Sequence, residues 1–318
     1  MIERKISDDG AGQRLDKFVR KLLKDVPLSH IFKMFRTKKV RVNGARGKPE
    51  QLLAEGDVVT IRGDQEQLLA SRPESEKKPH RAKEPLVVIY EDEYLMAVDK
   101  PAGMAVHPGS GIEDGTLVDE VRAMLGPHAV HNDFAPSPAH RLDRDTSGVI
   151  LVAKRRRAMV RLTEIFTEGS AKKTYLVLAK GTFGAAKGTV DLPLSEHEQT
   201  ARNKSDRGVN MQHAVTHWRV LAKGSGLTLL ECRIETGRTH QIRRHLVALG
   251  HPVAGDRRYG DFPYNRELKA KFGLKRMFLH ARRMVIEHPI SGETLELEAP
   301  LPKELTDALK RMGIEAPP

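Results

Sequence analysis

The stretch His140-Arg141-Leu142-Asp143-Arg144-Asp145-Thr146-Ser147-Gly148 runs without a break into the apolar residues 149–153. Two carboxylates and two guanidinium groups within five positions do not suit a buried strand, yet residues 149–153 themselves read as one. The chain therefore has to set a charged loop at a strand mouth, where a rigid support can aim a side chain at a ligand. Pro136, Pro138 and Gly148 punctuate the segment as a loop requires. Spacing alone leaves a second reading open, a solvated turn in which Asp143 or Asp145 caps a neighbouring element.

The 318 residues are enough for two domains with real cores, and 39% hydrophobic with 30% charged residues describe a soluble globular protein. No apolar run approaches the roughly 20 residues that span a bilayer. The start, Met1-Ile2-Glu3-Arg4-Lys5, lacks an apolar signal core, so a cytoplasmic protein without membrane contact is expected. The single Cys232 excludes an internal disulfide and any cysteine-built zinc site. The net charge of +12 calls for a polyanionic partner, and its distribution says where. Between Arg14 and Lys48 stand twelve Lys and Arg against only Asp16 and Asp25, a local excess of +10.

Leu15, Phe18, Val19, Leu22 and Leu23 form one helical stripe, with Arg14, Lys17, Arg20, Lys21 and Lys24 opposite. Pro27 ends that helix, and Ser29 is expected to cap a second one that turns Ile31, Phe32 and Phe35 inward and Lys33 and Arg36 outward. Val40-Arg41-Val42 alternates like a strand into the turn pair Asn43-Gly44, and a last strand covers residues 58–61. Residues 65–85 mix both charges with Pro and have no apolar period, the mark of a flexible linker. The expected domains are therefore 1–64 and 86–318, joined by 65–85. In the second, a hairpin over 87–98, a helix from the cap Thr116 to 125, a helix over 158–166, a strand over 172–180 and strands over 214–221 and 227–235 are expected. After these come a helix over 238–249, a hairpin over 284–297 and a closing helix from Pro302. Strands outnumber helices without regular alternation, which predicts an α+β fold on a mainly antiparallel sheet.

The central stretch resembles the signature of the RluA branch of ribosomal large-subunit pseudouridine synthases, over nine residues without a gap. Lys173-Thr174-Tyr175, Thr236-Gly237-Arg238-Thr239-His240-Gln241-Ile242-Arg243 and Phe278-Leu279-His280-Ala281 recur in that family's order, as does Asp99-Lys100-Pro101-Ala102-Gly103, read as a rigid loop with His107-Pro108-Gly109. The two basic helices with their small sheet resemble the alpha-L RNA-binding module. The resemblance implies a pseudouridine-synthase catalytic fold behind a small N-terminal RNA-binding domain, acting on RNA and requiring no redox cofactor and no metal.

It also implies roles. Asp143 is the catalytic carboxylate, as nucleophile or as base toward the sugar; Arg243 is its ion-pair partner; Tyr175 stacks under the uracil, with its hydroxyl a candidate acceptor of the C5 proton. Leu279 packs on the base or on the tyrosine. Arg141 fills the space left by an extruded base. His140 and Arg238 are placed as RNA contacts or loop supports, and Thr146 and Ser147 as hydrogen-bond partners of the loop backbone. Arg14, Lys17, Lys21, Lys33, Arg36, Lys38, Lys39 and Arg41 are candidate phosphate contacts, for which a solvated basic face is the alternative. His240 and His245 lack a zinc-helix spacing and read as RNA contacts or core histidines. Large-subunit ribosomal RNA is the expected substrate of a monomer. Other RNA targets, such as transfer RNA or a sister branch's sites, and a non-catalytic ribosome-assembly factor are the alternatives.

Overall fold

A computed structural model describes residues 1–23, 26–63, 86–109, 111–112, 114–126, 134–195 and 210–315. The linker expected over 65–85 lies outside these residues. Strand β1 (Ile2–Lys5) opens the chain, followed by helices α1 (Leu15–Leu22) and α2 (Leu28–Arg36). Strands β2 (Val40–Val42), β3 (Ala45–Arg46) and β4 (Val58–Ile61) complete an antiparallel sheet in the order β1-β4-β2-β3. The β2–β3 hairpin turns on Asn43 (φ 50°) and Gly44 (φ 78°), the left-handed pair that a type I′ turn needs. Leu15, Phe18, Val19, Ile31, Met34 and Phe35 bury one face of both helices against Val40, Val59 and Ile61, a core made within residues 1–63. Two expectations change. Ser29 lies inside the first turn of α2, which begins after Pro27, because a proline's fixed φ and missing N–H suit a helix start. Phe32, expected inward, is exposed.

The remainder runs β5 (Val87–Glu91), β6 (Leu95–Lys100), α3 (Leu117–Leu125), β7 (Ser137–Pro138), β8 (Ser147–Ala153) and α4 (Arg156–Glu168). It continues with β9 (Lys172–Lys180), β10 (Lys187–Asp191), β11 (Leu194–Ser195), β12 (Met211–Gln212), β13 (Val215–Gly224) and β14 (Leu227–Ile234). Helices α5 (Gln241–Ala248) and α6 (Phe262–Phe272), strands β15 (Leu279–Glu287) and β16 (Thr294–Glu298) and helix α7 (Lys303–Arg311) close it. One sheet carries the order β10-β13-β14-β9-β15-β8-β6-β5, with β16 on β15 and β7 on β8. Its pairings are antiparallel except β8 with β15. This is the α+β architecture expected. Among the described residues no helix is long and apolar enough to cross a membrane.

All seven residues of β8 are buried, so the strand serves both faces of the sheet. Ile150 and Val152 pack with Leu117 and Val121 of α3 and Ile242 and Leu246 of α5; Val149, Leu151 and Ala153 pack with Ala158, Leu162 and Ile165 of α4. Each such fully buried large aliphatic side chain contributes about 1.5–3 kcal/mol. Gly148, the second residue of β8, has φ 117°, and a Cβ there would lie 2.1 Å from the carbonyl oxygen of Ala281. Only glycine lets β15 pass this close, and the passage carries Leu279 to the loop that ends at Ser147.

Thr116 caps α3 with a full capping box to Asp119, as expected. Asp99 and Lys100, expected in the loop, end β6 instead, and the loop begins at Pro101. The helix expected over 238–249 starts only at Gln241. Helix α6 has no counterpart in the sequence reading; Asp261 caps it and a proline stands in its first turn. Across the two parts of the chain, Asp9 Oδ1 accepts the N–H of Arg156 at the start of α4 (2.9 Å).

Candidate active site

The loop before β8 is fastened from both sides. Lys100 is fully buried, and its ammonium donates to the carbonyls of Pro101, Met104 and Arg144 at 2.8, 2.9 and 3.2 Å. Gly103 N–H donates to the same Arg144 carbonyl (2.8 Å). Burial pulls the Lys100 pKa down to about 7 against the fields of Asp143 and Asp145. His140 Nε2 accepts the N–H of Leu151 (3.0 Å), and its ring packs on Phe166. Burial, with Lys173 nearby, holds that imidazole neutral with a pKa of about 3. Thr146 N–H donates to the Asp143 carbonyl (3.1 Å). The expected hydroxyl contacts to the loop backbone are absent among the described residues: Ser147 Oγ pairs with His280 Nδ1 (2.9 Å) and accepts from Arg276 (3.0 Å), and Thr146 Oγ1 is buried with no partner.

Arg243 meets this loop from the first turn of α5. Its Nη1–H donates to Asp143 Oδ2 at 2.9 Å, while Nε and Nη2 donate to the two oxygens of Asp256 at 2.7 and 3.0 Å. Asp256 is 1% exposed and also accepts the backbone N–H groups of Arg258 and Tyr259. Asn265 clamps that turn by donating to the Asp256 carbonyl and accepting from Gly255 N–H. Burial works against the Arg243 charge, but hydrogen bonds to Asp256 and the fields of both carboxylates outweigh it, and its pKa lies above the ordinary value. The guanidinium therefore arrives at Asp143 already oriented by a second carboxylate.

His240 precedes α5 in the left-handed region (φ 55°, ψ 28°), a conformation costing a non-glycine residue about 1–3 kcal/mol. There its Nε2 lies 3.8 Å from Asp143 Oδ1 and its Nδ1 3.0 Å from the Tyr259 hydroxyl. Arg243 also lies over the Tyr259 ring, 4.9 Å from its centroid. Gln241 pins the approach to this point by accepting from Arg238 N–H and the Thr236 hydroxyl and donating to the Val215 carbonyl.

Asp143, His240, Gln241 and Arg243 line an open cleft. Arg141, Asp143, Tyr175, Arg238, Arg243 and Leu279 all line it. Asp143 keeps 21% of its side chain exposed, Tyr175 only 8% of the residue. Burial, reinforced by Asp143, pushes the Tyr175 phenol well above its usual pKa. Arg141 is exposed at the rim, between this cleft and an adjoining space lined by Lys173 and Phe166. His140 lines only the adjoining space.

Sequence reasoning gives Asp256 and Tyr259 no place at the site, and leaves His240 between two other roles. An acid among bases between Gly255 and Gly260 is the available signal, since a buried carboxylate requires a cation. His245, by contrast, is a core histidine, bonded to Thr216 and to the Leu192 carbonyl. The eight candidate bases of residues 1–63 stand apart from the cleft lining. Lys17, Lys21, Lys33, Arg36, Lys38 and Lys39 are exposed; Arg14 is held in two hydrogen bonds by Asp16, and half-buried Arg41 donates to the Gly44 carbonyl.

The sequence over residues 94–248 matches the family model of the RNA pseudouridylate synthases. The chain belongs to that family. "Ribosomal large subunit pseudouridine synthase C" of Salmonella typhi is 40% identical over 316 residues, covering 98% of this chain and 96% of that protein. The protein of the same name from Escherichia coli K12 is 40% identical over 312 residues, covering 96% and 95%, and that of Vibrio cholerae 39% over 309, again covering 96% and 95%. Among solved structures, "Human RNA Pseudouridylate Synthase Domain Containing 4" superposes with a TM-score of 0.59 at 26% identity, over 73% of this chain and 95% of that one.

Proposed function

We propose that this chain isomerises uridines of large-subunit ribosomal RNA to pseudouridine, with Asp143 as the reacting carboxylate. One observation carries the assignment of the residue: Asp143 Oδ2 is held at 2.9 Å by a guanidinium that Asp256 has already fixed, at the wall of a cleft shared with Tyr175 and Leu279. A pure RNA-holding surface gains nothing from a carboxylate at its centre, where it repels phosphate.

The reaction breaks the bond from N1 to C1′, turns the uracil, joins C5 to C1′, loses the C5 proton to a base and gains a proton on N1, with no net oxidation. Asp143, ion-paired with Arg243, either attacks the sugar or takes a sugar proton; both need the charged form. Tyr175 supports the uracil face, a stack worth about 1–3 kcal/mol, and Leu279 closes the other side. Thr146 Oγ1, buried and unpartnered at the cleft wall, gains a partner when a polar edge of the base arrives. Arg141, at the rim, fills the stack that the uridine leaves, and Arg238 holds the neighbouring backbone. Residues 1–64 act as an RNA-placing module through Lys17, Lys21, Lys33, Arg36, Lys38, Lys39 and Arg41, with 86–318 the catalytic domain of a cytoplasmic monomer that requires no cofactor.

The test is Asp143→Asn, assayed by release of tritium from C5-labelled uridine in ribosomal RNA. Turnover is expected to fall at least about a thousandfold, with RNA affinity within about threefold of the parent. Retained turnover would remove Asp143 from the mechanism.

A further inference from the structure

Helix α2 brings Ser29, Phe32 and Arg36 to one face, at spacings of three and four, opposite the buried Ile31 and Met34. Facing them runs Arg46, which ends β3, with the following Gly47-Lys48-Pro49, and the two enclose an open groove. Phe32 leaves 42% of its surface open there, while Phe35, with ring centroid 6.4 Å away, lies buried behind it. The segment is fixed: Gly47 N–H donates to the Val40 carbonyl (3.1 Å), and a Cβ on Gly47 would meet Leu15 Cδ2 at 2.5 Å. Arg36, Arg46 and Lys48 are exposed and form no ion pair with any described residue, and among the described residues no acid lines the groove.

Phe32 thus shares one groove with three exposed cations that no described acid pairs. A surface that only holds duplex phosphates uses the cations and has no employment for the ring. A protein partner would have to desolvate the cations to cover the ring, unless it were itself acidic. One chemistry uses both at once, an unpaired nucleotide whose base lies on an aromatic face while its flanking phosphates meet Arg and Lys. We propose that the groove of Phe32, Arg36, Arg46 and Lys48 is a binding site for an unpaired nucleotide of RNA, separate from the Asp143 cleft. The inference rests on the reading of residues 1–64 as an RNA-placing module and makes it more specific: the module would prefer a junction where a base is already unstacked to a continuous helix.

The experiment uses the full chain and two RNAs of equal length, a single strand of A and C only, which offers no uridine to the cleft, and a G·C duplex. A 2-aminopurine replaces one adenine of the single strand as a stacking reporter. In the parent, binding is expected to quench that reporter. Phe32→Ala should abolish the quench and weaken the single strand about tenfold, while the duplex stays within about twofold and the salt slope is unchanged. Phe32→Tyr should restore both. Arg36→Gln with Lys48→Gln should weaken both RNAs and lower the single-strand log–log salt slope by about 1.4. If Phe32→Ala weakens both RNAs equally, or neither, the nucleotide site is wrong, and an acidic protein segment becomes the better occupant in the second case. If the double charge variant also leaves affinity and slope untouched, the RNA-placing reading of the module fails with it.

Discussion

The charges of residues 1–63 and those of the Asp143 cleft obey opposite rules. In the first region the described bases are many and mostly exposed, so each is screened by salt and worth little alone; only their sum attracts a polyanion. At the cleft wall Arg243 is buried and committed: it makes one hydrogen bond to Asp143 and two to Asp256 in a setting where a lost partner is not replaced by water. One region therefore tolerates substitution and responds to ionic strength. The other responds to geometry.

The sharpest way to break this contrast is Arg243→Lys, which keeps the charge and removes the planar fork. An ammonium cannot reproduce bonds to two carboxylates on opposite sides of a guanidinium. Turnover of an RNA substrate is expected to fall at least about a hundredfold with KM changed less than about threefold. A near-normal rate would show that charge alone suffices there, as it does on the basic module. Asp256→Asn tests the same clamp from behind, and its expected loss, about tenfold, should appear in kcat because the Asp256 carboxylate bonds, among the described residues, to Arg243 and to the N–H groups of Arg258 and Tyr259.

The same difference decides what is readable without a structure. Long-period features are legible: the strand β9 falls on 172–180 as expected, the Asn43-Gly44 turn takes the left-handed pair its residues favour, and Thr116 caps its helix. The cleft's own carboxylate, arginine and tyrosine are marked by family motifs. What escapes the sequence depends on tertiary contact. The helical period continues back through 238–240, and nothing local reveals that His240 turns left-handed to reach Asp143 and Tyr259. Asp256 lies 13 residues after Arg243 and meets it only once the 255–261 turn is folded. Helix α6 buries Leu268 and little else, so its apolar stripe is too thin to register. Phe32 is hidden for the opposite reason, since its place on an expected stripe gives no sign that it stands in the open.

Removing residues 1–85 tests the other side of the contrast. Affinity for ribosomal RNA should drop about tenfold or more and its salt dependence should become shallower, with kcat at saturation within about threefold of the parent. Loss of the Asp9 cap on α4 should lower stability by about 1 kcal/mol, which can be measured separately by urea unfolding. An unchanged salt slope would mean that the module does not place the RNA.

The smallest expected effect lies behind the cleft, where His280 is fully buried. His280 Nδ1 accepts from Ser147 and Nε2–H donates to the Ala299 carbonyl, a chain that needs the neutral ring. Burial holds His280 at about 4 and His140 at about 3, below the roughly 6.5 of an unfolded histidine. The unfolded chain therefore takes up these protons first, and stability is lost as pH falls from about 6.5 toward those values. Asp99 acts in the opposite sense: burial raises its pKa to about 6, so between pH 6 and about 4 its proton favours the fold. Near pH 5 the two imidazoles outweigh the one carboxylate, so the slope keeps their sign. His280→Asn removes one of the two, so the pH dependence of its urea-derived stability between about pH 6 and 4.5 should be shallower than the parent's by about 1 kcal/mol per unit. Parallel slopes in parent and variant would mean that His280 already carries its proton in the fold, and that burial behind the cleft does not enforce neutrality as the clamp around Arg243 enforces charge.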